Sequence, residues 1–245
     1  MTEDAQPKAD LTGKDTLQSF SRAYRFNQWM FDQIAPWAKG SVFEAGSGIG
    51  NISKLFIEKG FRMVLSDIMS DYLTRLKRTF ADEPNVDAVV ELDLSLPQLH
   101  HQALAGRFDT VIALNVIEHI ENDVQAVKNC NALLIKGGRL IMLVPAFQSL
   151  YNSFDKDLQH YRRYTKKTVT ELLESNGYKV VHTQYFNFGG LIGWYISGSI
   201  LRNKKIPRGQ LRIFEKLVPL FRVIDKLIFS SAGVSVIAVA EKVSD

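Results

Sequence analysis

Three glycines at alternate positions are the strongest chemical signal in this sequence. Gly46, Gly48 and Gly50 follow a short apolar run that carries Glu44, and an amphipathic segment covers residues 52–59. Glycine lets the backbone turn sharply and lets a ligand approach it closely. Such a turn between a strand and a helix, at the carboxyl edge of a parallel sheet, binds nucleotide-like molecules. The sequence therefore predicts a nucleotide-binding turn here.

Acidic residues follow at the ends of the next two predicted strands. Asp67 closes a strand over residues 62–67, and Asp93 follows a strand over residues 86–91. An acid at the end of the second strand can accept hydrogen bonds from both hydroxyls of a ribose, in S-adenosylmethionine or in NAD. The glycine spacing favours the former, because a dinucleotide turn needs G-x-G-x-x-G and this turn reads E-x-G-x-G-x-G.

These ordered motifs resemble those of class I S-adenosylmethionine methyltransferases across residues 40–145. The resemblance implies S-adenosylmethionine as cofactor and S-adenosylhomocysteine as product, with the acid after the third strand holding the adenine amino group. The residues expected at the cofactor are Tyr24, Trp29, Glu44, Gly46, Gly48, Gly50, Asp67, Ile68, Asp93, Leu94, Asn115 and Val116. For Trp29, packing into the core is an equally good alternative.

Two histidines are candidate bases for removing a proton from a methyl acceptor. His119 lies four residues after Asn115, which ends the fourth predicted strand. An unperturbed imidazole titrates near neutral pH, as a general base should. His160 lies in the run D-K-D-L-Q-H-Y-R-R-Y-T at residues 155–165. For His119 the alternative is a residue that only structures the turn or contacts the cofactor, and for His160 it is a loop held by aromatic packing and a capped helix.

The run at residues 155–165 resembles the D-x-x-x-G-H-Y-R-R-Y-T run of a bacterial methyltransferase group often encoded near cell-envelope glycosyltransferases. Gln159 stands where that group usually has glycine. Adjacent guanidinium groups can hold a phosphate or a carboxylate in bidentate fashion. The residues expected at the acceptor are Tyr161, Arg162, Arg163, Trp194 and Tyr195. The compact Asp, Asp and Asn set of catechol-type enzymes is not evident, so we predict no metal.

Strands and helices alternate along the chain, which requires a parallel sheet covered on both faces. We predict an α/β fold: a doubly wound, mostly parallel, seven-stranded Rossmann-like sheet with an N-terminal helix over 16–37 and a helical cap before the last strand. That strand, residues 235–242, is expected to be antiparallel between the fifth (139–144) and the sixth (178–185). The predicted parts are an N-terminal helical lid (1–40), a cofactor-binding core (41–185), a helical cap (186–232) and a final core strand (233–245).

The predicted cap combines an uncharged stretch with an amphipathic helix. Residues 183–201 carry no charge, but glycines and polar residues dilute them, which disfavours a membrane span. Residues 210–229 place apolar residues along one stripe and basic residues off it, with a kink expected at Pro219. The segment fits a cover over the acceptor, a helix lying on a membrane, a helix pair packed on the core, or a dimer contact.

Composition limits the remaining functions. A chain of 245 residues, 46% of them hydrophobic, can bury one good core. The single cysteine, Cys130, excludes an internal disulfide framework, and the polar first residues contain no apolar signal stretch. We therefore expect a cytoplasmic enzyme, with contact at the inner face of the membrane left open. The net charge of +4 raises nucleic acid as a partner, but residues 115–118 lack the D/N-P-P-Y/F run of enzymes that methylate base amines.

We therefore expect a small-molecule or lipid-linked acceptor. Two other functions stay open. An NAD-dependent reductase or epimerase would need the other glycine spacing and a Tyr-x-x-x-Lys pair at the active edge. A non-catalytic, membrane-associated protein that binds S-adenosylmethionine would need neither histidine.

Overall fold

Seven strands form one sheet in the computed structural model, which describes residues 23–196 and 208–243. In chain order the strands are β1 (Val42–Ala45), β2 (Met63–Asp67), β3 (Val86–Glu91), β4 (Phe108–Leu114), β5 (Leu134–Pro145), β6 (Tyr178–Phe186) and β7 (Ser235–Lys242). Across the sheet they run β3-β2-β1-β4-β5-β7-β6, and only β7 is antiparallel to its neighbours. The predicted fold class and the predicted place of the last strand are confirmed.

Helices cover both faces of the sheet. They are α1 (Tyr24–Ile34), α2 (Asn51–Glu58), α3 (Ser70–Thr79), α4 (Asp123–Leu133), α5 (Ser153–Asp157), α6 (Lys166–Glu174), α7 (Phe188–Trp194) and α8 (Arg208–Leu227), with 3-10 turns at Ala35–Trp37, Gln102–Leu104, Ile117–His119 and Gln148–Leu150. On one face Val127 of α4 and Leu173 of α6 belong to one apolar cluster. On the other, Phe56 of α2 and Val218 of α8 belong to a second. The central strands are buried from both sides, as a parallel sheet requires.

Local sequence signals fix some element ends and not others. Thr165 gives such a signal at the start of α6, since its hydroxyl oxygen accepts a hydrogen bond from the Thr168 N–H at 3.1 Å. The fifth strand, predicted over residues 139–144, begins earlier, because α4 ends at Leu133 and β5 starts at Leu134. A Cβ on Gly138 would meet the carbonyl oxygens of Ile135 and Phe108 at 2.9 and 3.0 Å. Gly138 therefore serves strand packing.

The described part of the cap, α7 and α8, packs against α1 and the sheet. Phe214 of α8 contacts Phe26 of α1, with ring centroids 5.6 Å apart. Gly189 of α7 lies against Phe221, where a Cβ would come within 2.5 Å of the ring. Residues 16–22 of the predicted first helix, and 197–207 of the cap, lie outside the described residues. Within 23–196 and 208–243, no helix combines the length and apolarity needed to cross a membrane.

Both acidic residues of α8 cap other helices. Glu215 accepts hydrogen bonds from the N–H groups of Arg25 and Phe26 in the first turn of α1, at 3.1 and 2.9 Å. Asp225 is buried and accepts from the N–H groups of Asn187 and Phe188 at the start of α7, at 2.7 and 3.0 Å. Helix N-termini carry unpaired N–H groups that favour a carboxylate. The Glu215 bonds therefore join the cap to α1, and the Asp225 bonds join the two helices of the cap.

Candidate functional site

The glycine turn joins β1 to α2 with a left-handed backbone at all three glycines. The φ angle is +68° at Gly46, +56° at Gly48 and +82° at Gly50. A Cβ on Gly46 would lie 2.5 Å from a methyl group of Val116, and one on Gly50 would lie 2.6 Å from the Phe80 ring. Conformation and space both require glycine at these two positions, which keeps the backbone of the turn accessible to a ligand.

Asp67 connects the end of β2 to the glycine turn. Its two carboxylate oxygens accept hydrogen bonds from the N–H groups of Gly48 and Met69, each at 2.9 Å. Desolvation raises the pKa of this largely buried carboxyl, and the hydrogen bonds oppose that shift. Each carboxylate oxygen can accept more than one hydrogen bond, so Asp67 keeps capacity for ligand hydroxyls. Ile68, the next residue, is 60% exposed.

Glu44 lies buried beneath the turn. Its carboxylate accepts a hydrogen bond from the Ser53 hydroxyl, and burial raises its pKa to about 7. Its main-chain oxygen accepts from the Ser66 hydroxyl at 2.9 Å. Glu44 thus ties β1 to both β2 and α2, and it supports the turn from the protein side.

The predicted cofactor residues after β3 and β4 lie at the same edge of the sheet. Asp93 is half-buried and accepts a hydrogen bond from the Ser95 N–H at 2.7 Å, whereas Leu94 is buried. Asn115 ends β4, is exposed, and has a left-handed backbone with φ of +54°. Among residues other than glycine, asparagine is one of the few that tolerate this conformation.

Helix α1 places its two predicted cofactor residues, Tyr24 and Trp29, in different environments. Trp29 is 2% exposed and packs on Phe186, with ring centroids 4.6 Å apart. The structure therefore places Trp29 in the core, because its face of α1 turns toward the sheet. Tyr24 is exposed in the first turn of α1 and lines a surface cleft of about 450 Å³ with Arg25 and Lys226.

The two candidate histidines, 41 residues apart in the chain, come together beside the carboxyl ends of β4 and β5. Their rings meet edge to face, with centroids 4.7 Å apart. Nδ1 of His160 lies 2.9 Å from a carboxylate oxygen of Asp155, which is fully buried. The Tyr151 hydroxyl donates to the main-chain oxygen of His160 at 2.7 Å. These bonds orient the His160 ring and leave its Nε2 for a further partner.

His119 is held in its neutral form. Desolvation by the surrounding protein, followed by the neighbouring His160, lowers its pKa to about 4. A hydrogen bond from the ring to the Leu158 carbonyl opposes the shift. At neutral pH the His119 imidazole is therefore unprotonated, although the residue reaches the surface.

Glu118 places a buried carboxyl group beside His119 and His160. The sequence prediction did not include Glu118 among the site residues. Desolvation raises its pKa to about 8, and the positive charge of Arg163 opposes that shift. Within the part of the chain that the structure describes, neither carboxyl oxygen has a hydrogen-bond partner in another residue. Ligand atoms of Glu118, His119 and His160 lie within 4.8 Å of one another.

Arg163 and Trp194 hold the histidine loop from the inside. The Arg163 side chain is 1% exposed, and its Nε donates to Asp155 at 2.8 Å while Nη1 donates to the Ala146 carbonyl at 3.0 Å. Its guanidinium carbon lies 4.6 Å from the centre of the Trp194 ring. Trp194 Nε1 donates to the Leu150 carbonyl at 3.3 Å. Both residues thus position the loop, and the predicted role of Arg163 in holding an anion receives no support from its placement.

The other predicted acceptor residues lie closer to solvent. Arg162 pairs with Asp123 at 2.7 Å, and the Asp123 carboxylate also accepts from the Tyr164 hydroxyl at 2.9 Å. Tyr161 and Tyr195 are each 51% exposed.

The methyltransferase-domain family matches residues 20–183, which is more than half of the chain. The chain belongs to this methyltransferase family. A probable S-adenosylmethionine-dependent methyltransferase of Mycolicibacterium smegmatis is 26% identical over 190 residues, covering 74% of this chain and 70% of that protein. An uncharacterised methyltransferase of Staphylococcus carnosus is 23% identical over 178 residues, covering 71% and 80%.

Among solved structures, the methyltransferase resembles the 1,6-didemethyltoxoflavin-N1-methyltransferase of Burkholderia thailandensis. That enzyme was crystallised with 1,6-didemethyltoxoflavin and S-adenosylhomocysteine. The TM-score is 0.60 at 18% identity, and the match covers 97% of this chain and 87% of that one. At this identity the likeness concerns the fold.

The methyltransferase therefore uses S-adenosylmethionine and releases S-adenosylhomocysteine. This assignment decides against the NAD-dependent alternative and against a non-catalytic binding protein. The site fits the cofactor. The turn at Gly46 has no room for a side chain, and Asp67 can still accept hydrogen bonds at the adjoining strand end.

Proposed function

We propose that the methyltransferase acts on a lipid-linked acceptor bound between the glycine turn and the His119–His160 pair. The observation that carries this proposal is the meeting of the two histidines just beyond Asn115, at the carboxyl edge of β4. Bound S-adenosylmethionine supplies an electrophilic methyl group. The protein must then align the acceptor and take its proton if the acceptor atom is a hydroxyl or an ammonium.

The proposed cofactor contacts follow the edge of the sheet. The glycine turn lies against the cofactor, and Asp67 accepts hydrogen bonds from its ribose hydroxyls. Asp93 accepts from the adenine amino group, and Ile68 and Leu94 supply apolar surface for the adenine ring. Asn115 lies at the end of β4, where the cofactor and the acceptor meet.

The two histidines have different roles in the proposed reaction. His160 is the stronger candidate for the base, because Asp155 fixes its Nδ1 and stabilises the ring when Nε2 takes a proton. His119 stays neutral and lies against the His160 ring. It therefore bounds the acceptor pocket without adding a positive charge.

Replacement of each histidine tests the proposed base. We expect His160→Ala to lower kcat by about 10²–10⁴-fold, with little change in the dissociation constant for S-adenosylmethionine. His182→Ala is the matched control, since His182 stacks on Trp37, at 4.6 Å, away from this cluster. Transfer from labelled S-adenosylmethionine to envelope lipid extracts is the assay. Full activity of both the His119→Ala and the His160→Ala variants would contradict the proposal.

The outer face of α8 supports contact with an anionic membrane. The apolar residues exposed on it are Ile213, Leu217, Leu220, Val223 and Leu227. Arg212, Lys216 and Lys226 are exposed on the same helix, whereas both of its acids face inward as helix caps. A helix with this division lies at the interface of a bilayer. The sequence resemblance to enzymes encoded near envelope glycosyltransferases supports an acceptor from the same surface.

Sedimentation with anionic vesicles tests this contact. We expect binding at low salt that weakens at high salt, because ions screen the lysine and arginine charges. Val223→Asn should weaken it further. The matched control is Val124→Asn on α4, which alters a comparably exposed valine outside the cap. A protein that stays in the supernatant at every salt concentration and runs as a dimer would make the face a contact between two copies.

We also propose how the predicted N-terminal lid and helical cap work with the core. We assign α1, as the described part of the N-terminal lid, and α7–α8, as the described part of the cap, to one cover over the acceptor side of the core. The ion pair between Asp32 of α1 and Arg222 of α8, at 2.7 Å, supports their acting together.

A further inference from the structure

Glu118, His119 and His160 form a compact set of metal-binding groups at the centre of the proposed acceptor site. One ligand atom from each lies within 4.8 Å of the other two. Two imidazoles and one carboxylate are a ligand set that binds zinc and other divalent transition metals. Glu118 and His119 are neighbours in the 3-10 turn after β4, and His160 lies in the loop after α5.

Each histidine of the set has one ring nitrogen held by an oxygen of the protein. His160 uses Nδ1 for Asp155, and His119 uses a ring nitrogen for the Leu158 carbonyl. Histidines that bind metals almost always have their second nitrogen held in this way, by a carboxylate or a backbone carbonyl, which fixes the tautomer and the ring orientation. The remaining nitrogen of each ring is then available to the metal.

Glu118 is the third ligand, and its present surroundings leave its polar atoms unsatisfied. Both carboxyl oxygens are buried and, among the described residues, have no hydrogen-bond partner in another residue. The nearby Arg163 directs its donors to Asp155 and the Ala146 carbonyl. Buried carboxyl groups are normally hydrogen-bonded, paired with a cation or bound to a metal.

We propose, in place of the sequence prediction of no metal, that Glu118, His119 and His160 bind one divalent transition-metal ion. In a tetrahedral site the ligand atoms lie about 3.4 Å apart, so atoms now within 4.8 Å of one another must approach by up to about 1.4 Å. The exposed His119 side chain has the freedom to do so. Three protein ligands leave a position for an oxygen ligand, so the site would hold a hydroxyl or phosphate oxygen of the acceptor. This step rests on the proposed acceptor site and replaces the role of His160 as base, because a metal on Nε2 occupies the nitrogen that would take the proton.

Titration of chelator-treated protein with Zn²⁺ tests the site directly. We expect one equivalent by calorimetry, and a visible absorption band when Co²⁺ replaces Zn²⁺. Glu118→Gln, His160→Ala and His119→Ala should each weaken Zn²⁺ binding by at least about 10–100-fold, the loss typical even of residues that only support a metal ligand. His119→Ala keeps the test valid if a buried variant fails to fold.

The double variant His100→Ala/His101→Ala is the matched control. These rings are also adjacent, with centroids 4.4 Å apart, but they belong to the segment between β3 and β4 and not to the proposed ligand set. Zn²⁺ binding that survives all three site variants and disappears in the control would overturn the proposal, as would no binding at all. The proposed function fails separately, if metal binds but transfer persists without either histidine. If the metal-free protein is fully active and His160→Ala is still inactive, His160 acts as the base and the reaction does not need a metal.

Discussion

The steric demand at Gly46 gives the sharpest quantitative prediction. An alanine there must adopt φ near +68°, which costs about 1–2 kcal/mol for an L-residue. Its Cβ would also lie 2.5 Å from a methyl of Val116, whereas carbon atoms in contact prefer about 3.5–4.0 Å. The turn or Val116 must therefore move by about 1 Å, and overpacking of this kind costs about 1–3 kcal/mol.

We expect Gly46→Ala to weaken S-adenosylmethionine binding by at least about tenfold, because every 1.4 kcal/mol lost changes affinity by that factor. Calorimetry gives the affinity and urea unfolding gives the stability. Gly60→Ala is the matched control, since Gly60 has φ of +85° and open space around its Cβ position. It should lose stability through its backbone alone and bind the cofactor normally.

The double variant Gly46→Ala/Val116→Ala separates the two costs. Removing the Val116 methyl groups relieves the overlap, because the next atom, its Cβ, lies 3.8 Å away. The double variant should recover the steric part of the lost stability and keep the backbone part, which urea unfolding of Gly60→Ala measures independently. Normal cofactor binding by Gly46→Ala, or no recovery in the double variant relative to Val116→Ala alone, would refute this reasoning.

Three further predictions concern buried groups. Asp67→Ala should weaken S-adenosylmethionine binding by roughly 1–3 kcal/mol, since ligand hydroxyls lose their acceptor; the surface variant Asp87→Ala should have no effect in calorimetry. Glu44 keeps its proton up to about pH 7 in the fold but loses it near 4.5 when unfolded, so stability should fall between those values by at most about 1.4 kcal/mol per pH unit. Urea unfolding at pH 5 and pH 8 should show a smaller fall for Glu44→Gln. Cys130 is buried with its pKa raised to about 12, so thiol reagents should label it only after unfolding.

The sequence predicted what local patterns encode and failed where distant segments meet. The glycine turn between β1 and α2 follows from spacing within a few residues. The helical pattern of α1 could not say which aromatic faces the sheet, because Tyr24 and Trp29 both fit an amphipathic segment. Glu118 was missed because its partners lie in a loop some 40 residues later. Arg162 and Arg163 have different roles because the first pairs with Asp123 near the surface and the second with the buried Asp155, which adjacent positions in a sequence do not reveal.

The burial of acidic side chains makes the remaining surface more positive, which favours an anionic acceptor. The interior of the described residues holds five acids, Glu44, Asp67, Glu118, Asp155 and Asp225, but only two bases, Arg163 and Lys242. The rest of the chain is therefore more positive than the formal net charge of +4 indicates. Surface cations raise the local concentration of anionic ligands over about 10 Å at 0.1 M salt. The exposed cations of α8 have no acid on their own face. They therefore attract anions to the outer face of α8, where we propose that the membrane binds.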